Sequence, residues 1–233
     1  IYGLTTTVNN YDSNTIGHQT TAVAKPDGTT LTLATGALNI QYITGNSEIN
    51  PMEDFTLIAA MQDNGFSAIA VPADAPYDDF AGFVEYAKEN PGKLNASQPS
   101  SGNNTFMFAM FEDTLGIDLN PVEASSESDR LVNLSGGFID IGFVWIGNAL
   151  EYEKAGNIKV IGTIAADGRL ITDFDDTLPD NYKTTQEQGF EDVYWEVYHY
   201  LLGPAGMDED MVQAMNKAMK KVYEDPETFE GIR

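Results

Sequence analysis

The sequence predicts an α/β fold with mostly parallel sheets and helices on both faces. In the middle third of the chain, apolar runs of strand length alternate with helical segments in the order strand, helix, strand, helix, strand. Such alternation favours right-handed crossover connections and therefore strands that run in parallel. With 233 residues and a hydrophobic fraction of 42%, the chain can bury a full core as one large domain or as two lobes.

Net charge and cysteine content exclude several classes of function. The chain carries 36 acidic and 12 basic residues, a net charge of −24, which argues against nucleic acid or an anionic membrane surface as a partner. It contains no cysteine, so disulfides, thiolate metal sites and cysteine nucleophiles are excluded. No stretch reaches the roughly 18 apolar residues of a membrane span. The chain starts without methionine inside a strand-like run, so we expect an N-terminal portion to be missing.

Apolar periodicity and turn signals predict the elements of the first part of the chain. Strands are predicted over 1–8, 29–35, 54–61 and 66–71, and helices over 15–25 and 77–90. A Pro-Asp-Gly turn over 26–28 separates the first helix from the second strand. The second helix is amphipathic, with one apolar face made by Phe80, Phe83, Val84 and Ala87.

A polar loop between a strand and a helix is the strongest candidate for a ligand site. An apolar approach leads into the loop 97–104, and a helix follows that Gly116 ends. The apolar face of this helix consists of Met107, Met110, Phe111 and Leu115. The free N–H groups at a helix start attract carboxylate or phosphate. The competing interpretation is an ordinary turn capped by polar side chains.

The second half of the chain continues the alternation. Strands are predicted over 121–124, 138–145, 158–164 and 193–202, and helices through Leu131 and Leu134, over 149–155 and over 208–224. The last helix has acids in its first turn and lysines towards its end, which suits the helix dipole. Its expected buried stripe consists of Met211, Met215, Met219 and Val222.

Six segments carry a family resemblance across almost the whole chain. They read IGHQTTAVAKPDGTTLTLAT (16–35), NPMEDFTLIAAM (50–61), FVEYAKENPGKLNAS (83–97), LVNLSGGFIDIGF (131–143), LPDNYKTTQEQGF (178–190) and YLLGPAGMDEDMVQAMNKAM (200–219). Taken together, in this order and spacing, they resemble the extracytoplasmic solute-binding family of tripartite tricarboxylate transporters, also called the Bug family.

The resemblance implies a two-lobed, type II periplasmic-binding-protein-like fold with a ligand cleft between the lobes. Lobe one would comprise residues 1–92 and 198–233, without the first strand–loop–helix unit that family members carry before the position of Ile1. Lobe two would comprise residues 93–197. The protein would be extracytoplasmic, either periplasmic or lipid-anchored at the cell surface. As a monomer it would capture a small organic acid and deliver it to the membrane subunits of a tripartite tricarboxylate-type transporter.

The resemblance also assigns residues to ligand binding. In lobe two they are Ser97, Ser100, Ser101, Gly102, Asn103, Asn104, Thr105, Ser125, Ser126 and Trp145. In lobe one they are Thr35, Gly36 and Tyr198. Many members of the family carry an acid where this chain has Val144, so a ligand held through a cationic amine is disfavoured.

Structural roles are the competing interpretation for several of these side chains. Ser126 can cap a helix, and Trp145 can be a core residue. Tyr198 can pack at the crossover between the lobes. Asp140 is expected to be a structural, helix-capping acid rather than a ligand group.

Sequence motifs of enzymes are absent. The chain has no P-loop, no GxGxxG or GxSxG motif and no metal-binding histidine pair. We therefore expect a non-catalytic binding protein with no cofactor and no metal. One alternative is a ligand-sensing effector domain of a regulator or receptor, which would be joined to a DNA-binding or signalling domain. The other is an enzyme on the same fold, which would need a nucleophile and a base that the sequence does not reveal.

Overall fold

The chain divides into two compact units. The computed structural model describes residues 5–11, 14–63, 66–98, 103–124 and 126–225. Unit 1 comprises Ile1–Gln62 and Tyr198–Arg233, and unit 2 comprises Asp63–Val197.

The described residues form eight strands and seven α-helices. The strands are β1 (Thr32–Thr35), β2 (Phe55–Asp63), β3 (Ser67–Pro72), β4 (Asn95–Ser97), β5 (Asn120–Val122), β6 (Gly142–Trp145), β7 (Ile158–Ile164) and β8 (Val197–Pro204). The helices are α1 (Asn14–Ala22), α2 (Ala37–Ile43), α3 (Phe80–Glu89), α4 (Asn103–Leu115), α5 (Glu127–Ser135), α6 (Ile146–Lys154) and α7 (Glu209–Tyr223).

The described strands of unit 2 follow one another in the order β5-β4-β6-β3-β7. β4 pairs in parallel with β5, and a parallel bridge between Ala96 and Ile141 joins β4 to the start of β6. β3 lies between β6 and β7 and is antiparallel to both. The other four strands therefore run in one direction, as the helix–strand alternation predicts. The expectation of mostly parallel sheets needs correction at β3, because this strand follows β2 along the chain and not a crossover helix.

The position of β3 also sets the division between the units. The sequence-based boundary assigns residues 1–92 to the first lobe, whereas β3 and α3 belong to unit 2. β3 pairs with two strands of unit 2, and Phe80 and Phe83 of α3 are fully buried in the same core as Phe143. Strand pairing and core packing thus place the division between residues 62 and 63.

Helices cover both faces of the unit 2 sheet. On one face, α3 and α4 pack on a core that includes Ile69 and Phe143. On the other face, α5 and α6 pack on a second core that includes Ala68 and Val144. Neighbouring residues of each strand enter opposite cores because successive side chains point to opposite faces of a sheet. The layered arrangement predicted from the sequence is therefore present within unit 2.

Two helix ends in unit 2 follow sequence signals. α3 starts after Asp79, whose Oδ1 accepts a hydrogen bond of 2.7 Å from the Gly82 N–H. α4 ends at Gly116, which has φ +65°, a backbone conformation that glycine adopts without steric cost.

Unit 1 contains a smaller sheet and a smaller core. The sheet order is β1-β8-β2, with β1 and β8 antiparallel. The core consists of Ala34, Leu38, Ile49, Phe55 and Leu202. Leu38 belongs to α2, which the sequence does not predict, because this helix has only seven residues and its N-cap residue, Gly36, has no side chain to cap it. Tertiary contacts stabilise so short a helix more than its own sequence does.

Two sequence-based expectations for unit 1 are wrong in part. The described part of the first predicted strand, residues 5–8, lies outside any strand. Residues of high β propensity form a strand only where a neighbouring strand is available. The helix α7 begins at the predicted position. However, the apolar stripe that was expected to be buried is only half-buried, and no residue of α7 is fully buried.

Candidate ligand-binding site

β4 ends at Ser97, whose side chain is completely buried. Its backbone N–H donates to the Ile141 carbonyl at 3.1 Å, and its Oγ donates to the Ala124 carbonyl at 3.2 Å. The hydroxyl therefore joins the end of β4 to the segment that follows β5. This contact brings two strand ends together at the carboxyl edge of the sheet, where open α/β folds place their ligands.

Gln98 follows Ser97 and has a buried side-chain nitrogen. Its backbone N–H donates to the Val122 carbonyl at 3.0 Å. Its Nε2 is buried and has no hydrogen-bond partner among the described residues. Leaving such a group unpaired costs about 1–3 kcal/mol. A ligand oxygen that accepts from Nε2 would remove this cost. The sequence does not single out Gln98, because glutamine is an ordinary loop residue and only the unpaired nitrogen marks it.

The first turn of α4 lies beyond the loop that follows Gln98. Asn103, Asn104 and Thr105 form this turn, and all three are half-buried. The N–H groups of a first helical turn have no partner within the helix, and a helix start attracts anions. Four residues assigned by the resemblance lie outside the described residues, namely Ser100, Ser101, Gly102 and Ser125.

Ser126 caps the N-terminus of α5. Its Oγ accepts a hydrogen bond of 3.0 Å from the Asp129 N–H, and its backbone is extended, with φ −92° and ψ 156°. The interpretation of Ser126 as an N-cap is confirmed. The cap leaves the serine exposed at the end of the connection from β5.

Glu127 connects the start of α5 to the end of β6. Its Oε1 accepts from the Trp145 N–H at 3.2 Å and from Asn148 Nδ2 at 2.6 Å. Its Oε2 lies 4.0 Å from Arg130, whose Nε donates to the Phe143 carbonyl at 2.8 Å. Burial lowers the pKa of Arg130, and the neighbouring carboxylates oppose that shift. The carboxylate and the guanidinium thus hold β6, α5 and α6 in place.

Trp145 ends β6 with its side chain largely in solvent. The residue is 55% exposed, so its interpretation as a core residue is wrong. Its neighbour Val144 is 1% exposed and belongs to the core between the sheet, α5 and α6. An exposed indole at a strand end offers a flat apolar surface to a ligand.

Asp140 has a structural role but does not cap a helix. Its Oδ2 accepts a hydrogen bond of 2.7 Å from the Asn95 N–H, and its own N–H donates to the Asn95 carbonyl at 2.7 Å. These two bonds fix the start of β4 beside the segment that leads to β6. Asp140 is therefore a structural acid, as expected, but it binds the strand β4 and does not cap a helix.

The candidate residues of unit 1 lie at the end of β1 and on the neighbouring strand β8. Thr35 pairs with His199 of β8, and its Oγ1 accepts from the Ala37 N–H at 3.3 Å. Gly36 follows with open space around the position of a Cβ. Tyr198, also on β8, stacks on Tyr200 with ring centroids 6.2 Å apart. Adjacent strands thus bring Thr35 close to the β8 segment that carries Tyr198.

The described residues offer no obvious metal centre. Among them, no group of three or more histidine, aspartate or glutamate side chains is placed to hold a metal ion. Among the same residues, no helix combines the length and the apolar character needed to cross a membrane.

The sequence matches one protein family over nearly its full length. Residues 3–232 correspond to the tripartite tricarboxylate transporter family receptor. The chain belongs to this family. A UPF0065 protein of Bordetella pertussis is 24% identical over 220 residues, which are 93% of this chain and 65% of that protein. The chain spans less than two thirds of the length of the curated relatives it matches.

Solved structures agree with the family. A periplasmic transporter structure is 26% identical, with a TM-score of 0.72, over 93% of this chain and 71% of that one. MatC of Rhodopseudomonas palustris, solved with bound malate, is 21% identical, with a TM-score of 0.67, over 92% of this chain and 71% of that one. These likenesses confirm the predicted fold class. The family that the sequence matches is one of transporter receptors, as the resemblance predicts.

Proposed function

We propose that this chain is the ligand-binding part of an extracytoplasmic receptor that captures a small organic carboxylate. In this proposal it delivers the ligand, as a monomer, to the membrane subunits of a tripartite tricarboxylate-type transporter. The observation that carries the proposal is the family match over residues 3–232. The malate bound to MatC, a protein of the same fold, supports a carboxylate as the class of ligand.

The carboxyl edge of the unit 2 sheet supplies suitable chemistry for such a ligand. Gln98 offers a buried donor that has no partner among the described residues, and Asn103 and Asn104 supply side-chain amides at the start of α4. Neutral donors of this kind stabilise a carboxylate through short hydrogen bonds. These contacts outweigh the distant negative charges of the surface, which salt screens over about 10 Å at 0.1 M.

The absence of an acid at position 144 restricts the ligand further. Val144 is buried and apolar, so it cannot pair with an ammonium group. Glu127 is the first residue of α5, directly after Ser126. Its carboxylate already accepts two hydrogen bonds and lies beside Arg130. We therefore propose carboxylates without an amino group over amino acids.

A thermal-shift screen tests this function. The panel contains malate and other dicarboxylates, aromatic acids and amino acids. A ligand that binds only the folded state at about 100 times its Kd adds about 2.7 kcal/mol of stability. For a chain of this size, that gain raises Tm by roughly 5–10 °C.

Two results would contradict the proposal. A rise in Tm with amino acids alone would show that the site prefers a cationic ligand. No rise with any carboxylate, confirmed by calorimetric titration, would show that the protein does not bind this class. A positive result is followed by titration of the Ser126→Asp variant, in which an added negative charge at the start of α5 should weaken carboxylate binding.

A further inference from the structure

Trp145 lies on the same edge of the unit 2 sheet as Gln98. Ser97 of β4 is level with Gly142 of β6, since the Cβ position of Gly142 lies 3.7 Å from the Ser97 Cβ. Gln98 is one residue beyond this level and Trp145 is three residues beyond it. Their backbones are therefore about 7 Å apart along the strands and about 5 Å apart across them. A small ligand between the two side chains can contact the amide of Gln98 and the indole of Trp145 together.

The backbone that carries the indole is firmly held, although the ring itself faces solvent. The Trp145 N–H donates to Glu127 at 3.2 Å, and its chain neighbours Val144 and Ile146 are 1% and 3% exposed. The ring is nevertheless 55% exposed, so much of its apolar surface remains in water. An aromatic ring on a fixed backbone loses little conformational freedom when a ligand covers it.

There is room for a ligand beside the indole. Gly147 is the second residue of α6, and among the described residues no atom lies within 4 Å of the position that its Cβ would occupy. The residue is exposed, as is Asn148 after it. A flat group placed against Trp145 can thus extend over the start of α6 without displacing a described side chain.

The described side chains around Trp145 do not favour a negative charge at this end of the ligand. The carboxylate of Glu127 lies directly beside the Trp145 N–H, and Asn148 already donates its amide to that carboxylate at 2.6 Å. The guanidinium of Arg130 donates to the Phe143 carbonyl and lies beside the same carboxylate. The first turn of α6 contains no charged side chain. An uncharged, apolar part of the ligand fits this surface best.

We propose that the ligand is an aromatic monocarboxylate, with its carboxylate at Gln98 and its ring against the indole of Trp145. This inference rests on the proposed function and narrows the class of ligand. Two aromatic rings in contact gain more than the burial of their area alone supplies, when they are offset or meet edge to face. Trp145 then selects the ligand, and Glu127 positions Trp145 and disfavours a second carboxylate at the far end of the ring.

Calorimetric titration with benzoate and malate tests the selection. Benzoate should bind the wild type at least about tenfold more tightly than malate. Trp145→Ala should weaken benzoate binding by about tenfold and change malate binding by less than about twofold, whereas Trp145→Phe, which keeps a ring, should retain most of the benzoate affinity. Phe138→Ala is the matched control. Phe138 is also an exposed aromatic residue, 68% exposed, but it precedes β6 at the opposite edge of the sheet.

The position of the ring has its own test, because the chain contains only two tryptophans. Trp195→Phe leaves Trp145 as the one source of tryptophan fluorescence. Its emission should move to shorter wavelength as benzoate excludes water from the indole, with the same Kd as in calorimetry. Malate should leave the emission unchanged.

The role of Glu127 is tested with terephthalate, which adds a second carboxylate at the far end of the ring. The wild type should bind terephthalate at least about tenfold more weakly than benzoate. Glu127→Gln keeps an oxygen that accepts from the Trp145 N–H but removes the charge, so it should narrow this difference without weakening benzoate binding.

The results separate a failure of this inference from a failure of the proposed function. If malate binds as tightly as benzoate, or if Trp145→Ala weakens both alike, the aromatic class is wrong and a carboxylate receptor remains. Equal losses in Trp145→Ala and Phe138→Ala, or an emission that benzoate does not shift, would also overturn the contact with Trp145. If no carboxylate binds at all, the proposed function itself fails.

Discussion

At the residue scale, a substitution of Gln98 should weaken ligand binding without lowering the stability of the protein. We expect Gln98→Leu to weaken carboxylate binding by about tenfold or more, because the ligand loses a buried hydrogen bond to an ionised group. The free protein should be as stable as the wild type or slightly more stable, because Nε2 has no partner to lose among the described residues. Calorimetric titration and urea unfolding measure the two effects on the same samples.

A matched control for Gln98 lies on α7. Gln213 is exposed there and donates to Glu209 at 3.3 Å, so Gln213→Leu should change neither affinity nor stability appreciably. Equal affinities of the wild type and Gln98→Leu would show that Nε2 does not contact the ligand. A loss of stability equal to the loss of binding would show a structural role.

His18 predicts a pH dependence of stability. Burial lowers its pKa in the folded state below the ordinary value of 6.5 for histidine, so the unfolded chain binds the proton more readily. Stability that depends on the neutral ring is fully present above pH 6.5 and is lost as the pH falls towards the lower folded pKa. In the 233-residue chain, the free energy of unfolding of the wild type should therefore fall relative to His18→Gln as the pH decreases.

Urea unfolding of both proteins at several pH values between about 5 and 7.5 checks this prediction. The difference between them is the informative quantity, because acid also reduces the repulsion among the many carboxylates in both proteins. A difference that does not vary with pH would mean that His18 is as easily protonated in the folded chain as in the unfolded one.

At the scale of elements, substitutions of Ser126, the N-cap of α5, test whether the start of this helix contributes to carboxylate binding. Ser126→Ala removes the acceptor for the Asp129 N–H and should cost about 1 kcal/mol of stability. Ser126→Asp should keep the stability, because aspartate also caps and its charge favours a helix N-terminus. The same variant should weaken carboxylate binding through repulsion. Ser126→Ala should therefore mainly lower stability, and Ser126→Asp should mainly lower affinity.

Thermal unfolding and calorimetric titration measure the two quantities for each Ser126 variant. Ser135→Ala is the control within α5, since that hydroxyl donates to the Leu131 carbonyl at the other end of the helix. Unchanged carboxylate affinity in Ser126→Asp would place the ligand away from the start of α5.

The sequence predicted most elements because their signals are local. The strand 158–164 has the predicted bounds, and α4 ends at the predicted Gly116. Features that depend on partners distant in sequence could not be predicted in this way. The antiparallel placement of β3 and the short helix α2 follow from tertiary contacts, and the unpaired nitrogen of Gln98 exists only in the folded chain. Residue pattern marked the loop 97–104 as a candidate site, and the family resemblance supplied the other candidate residues.

At the scale of the whole molecule, the net charge of −24 predicts that salt stabilises the fold. Repulsion among like charges opposes the compact state more than the expanded one, and salt screens it. Between about 0.01 M and 1 M salt the screening length falls from about 30 Å to about 3 Å. We expect Tm to rise by several degrees over this range, where about 1 kcal/mol corresponds to roughly 2–4 °C.

Scanning calorimetry at a series of potassium chloride concentrations measures this rise. Substitution of surface acids by their amides, for example Asp113→Asn with Glu151→Gln, should reduce the salt dependence. A Tm that is constant or falls with salt would show that attraction between unlike charges outweighs the repulsion.

The order of segments along the chain has a consequence during synthesis. Unit 2 is one continuous stretch, whereas unit 1 combines residues that precede and follow it, and the central strand β8 of unit 1 is translated after the whole of unit 2. On the ribosome, β1 is therefore synthesised on the order of ten seconds before β8, the strand with which it pairs, at usual elongation rates. Unit 2 can be complete before unit 1 has begun to close its sheet. The nascent chain thus folds from the middle outwards, and the early strand edges of unit 1 depend on cellular chaperones or on rapid completion to avoid aggregation.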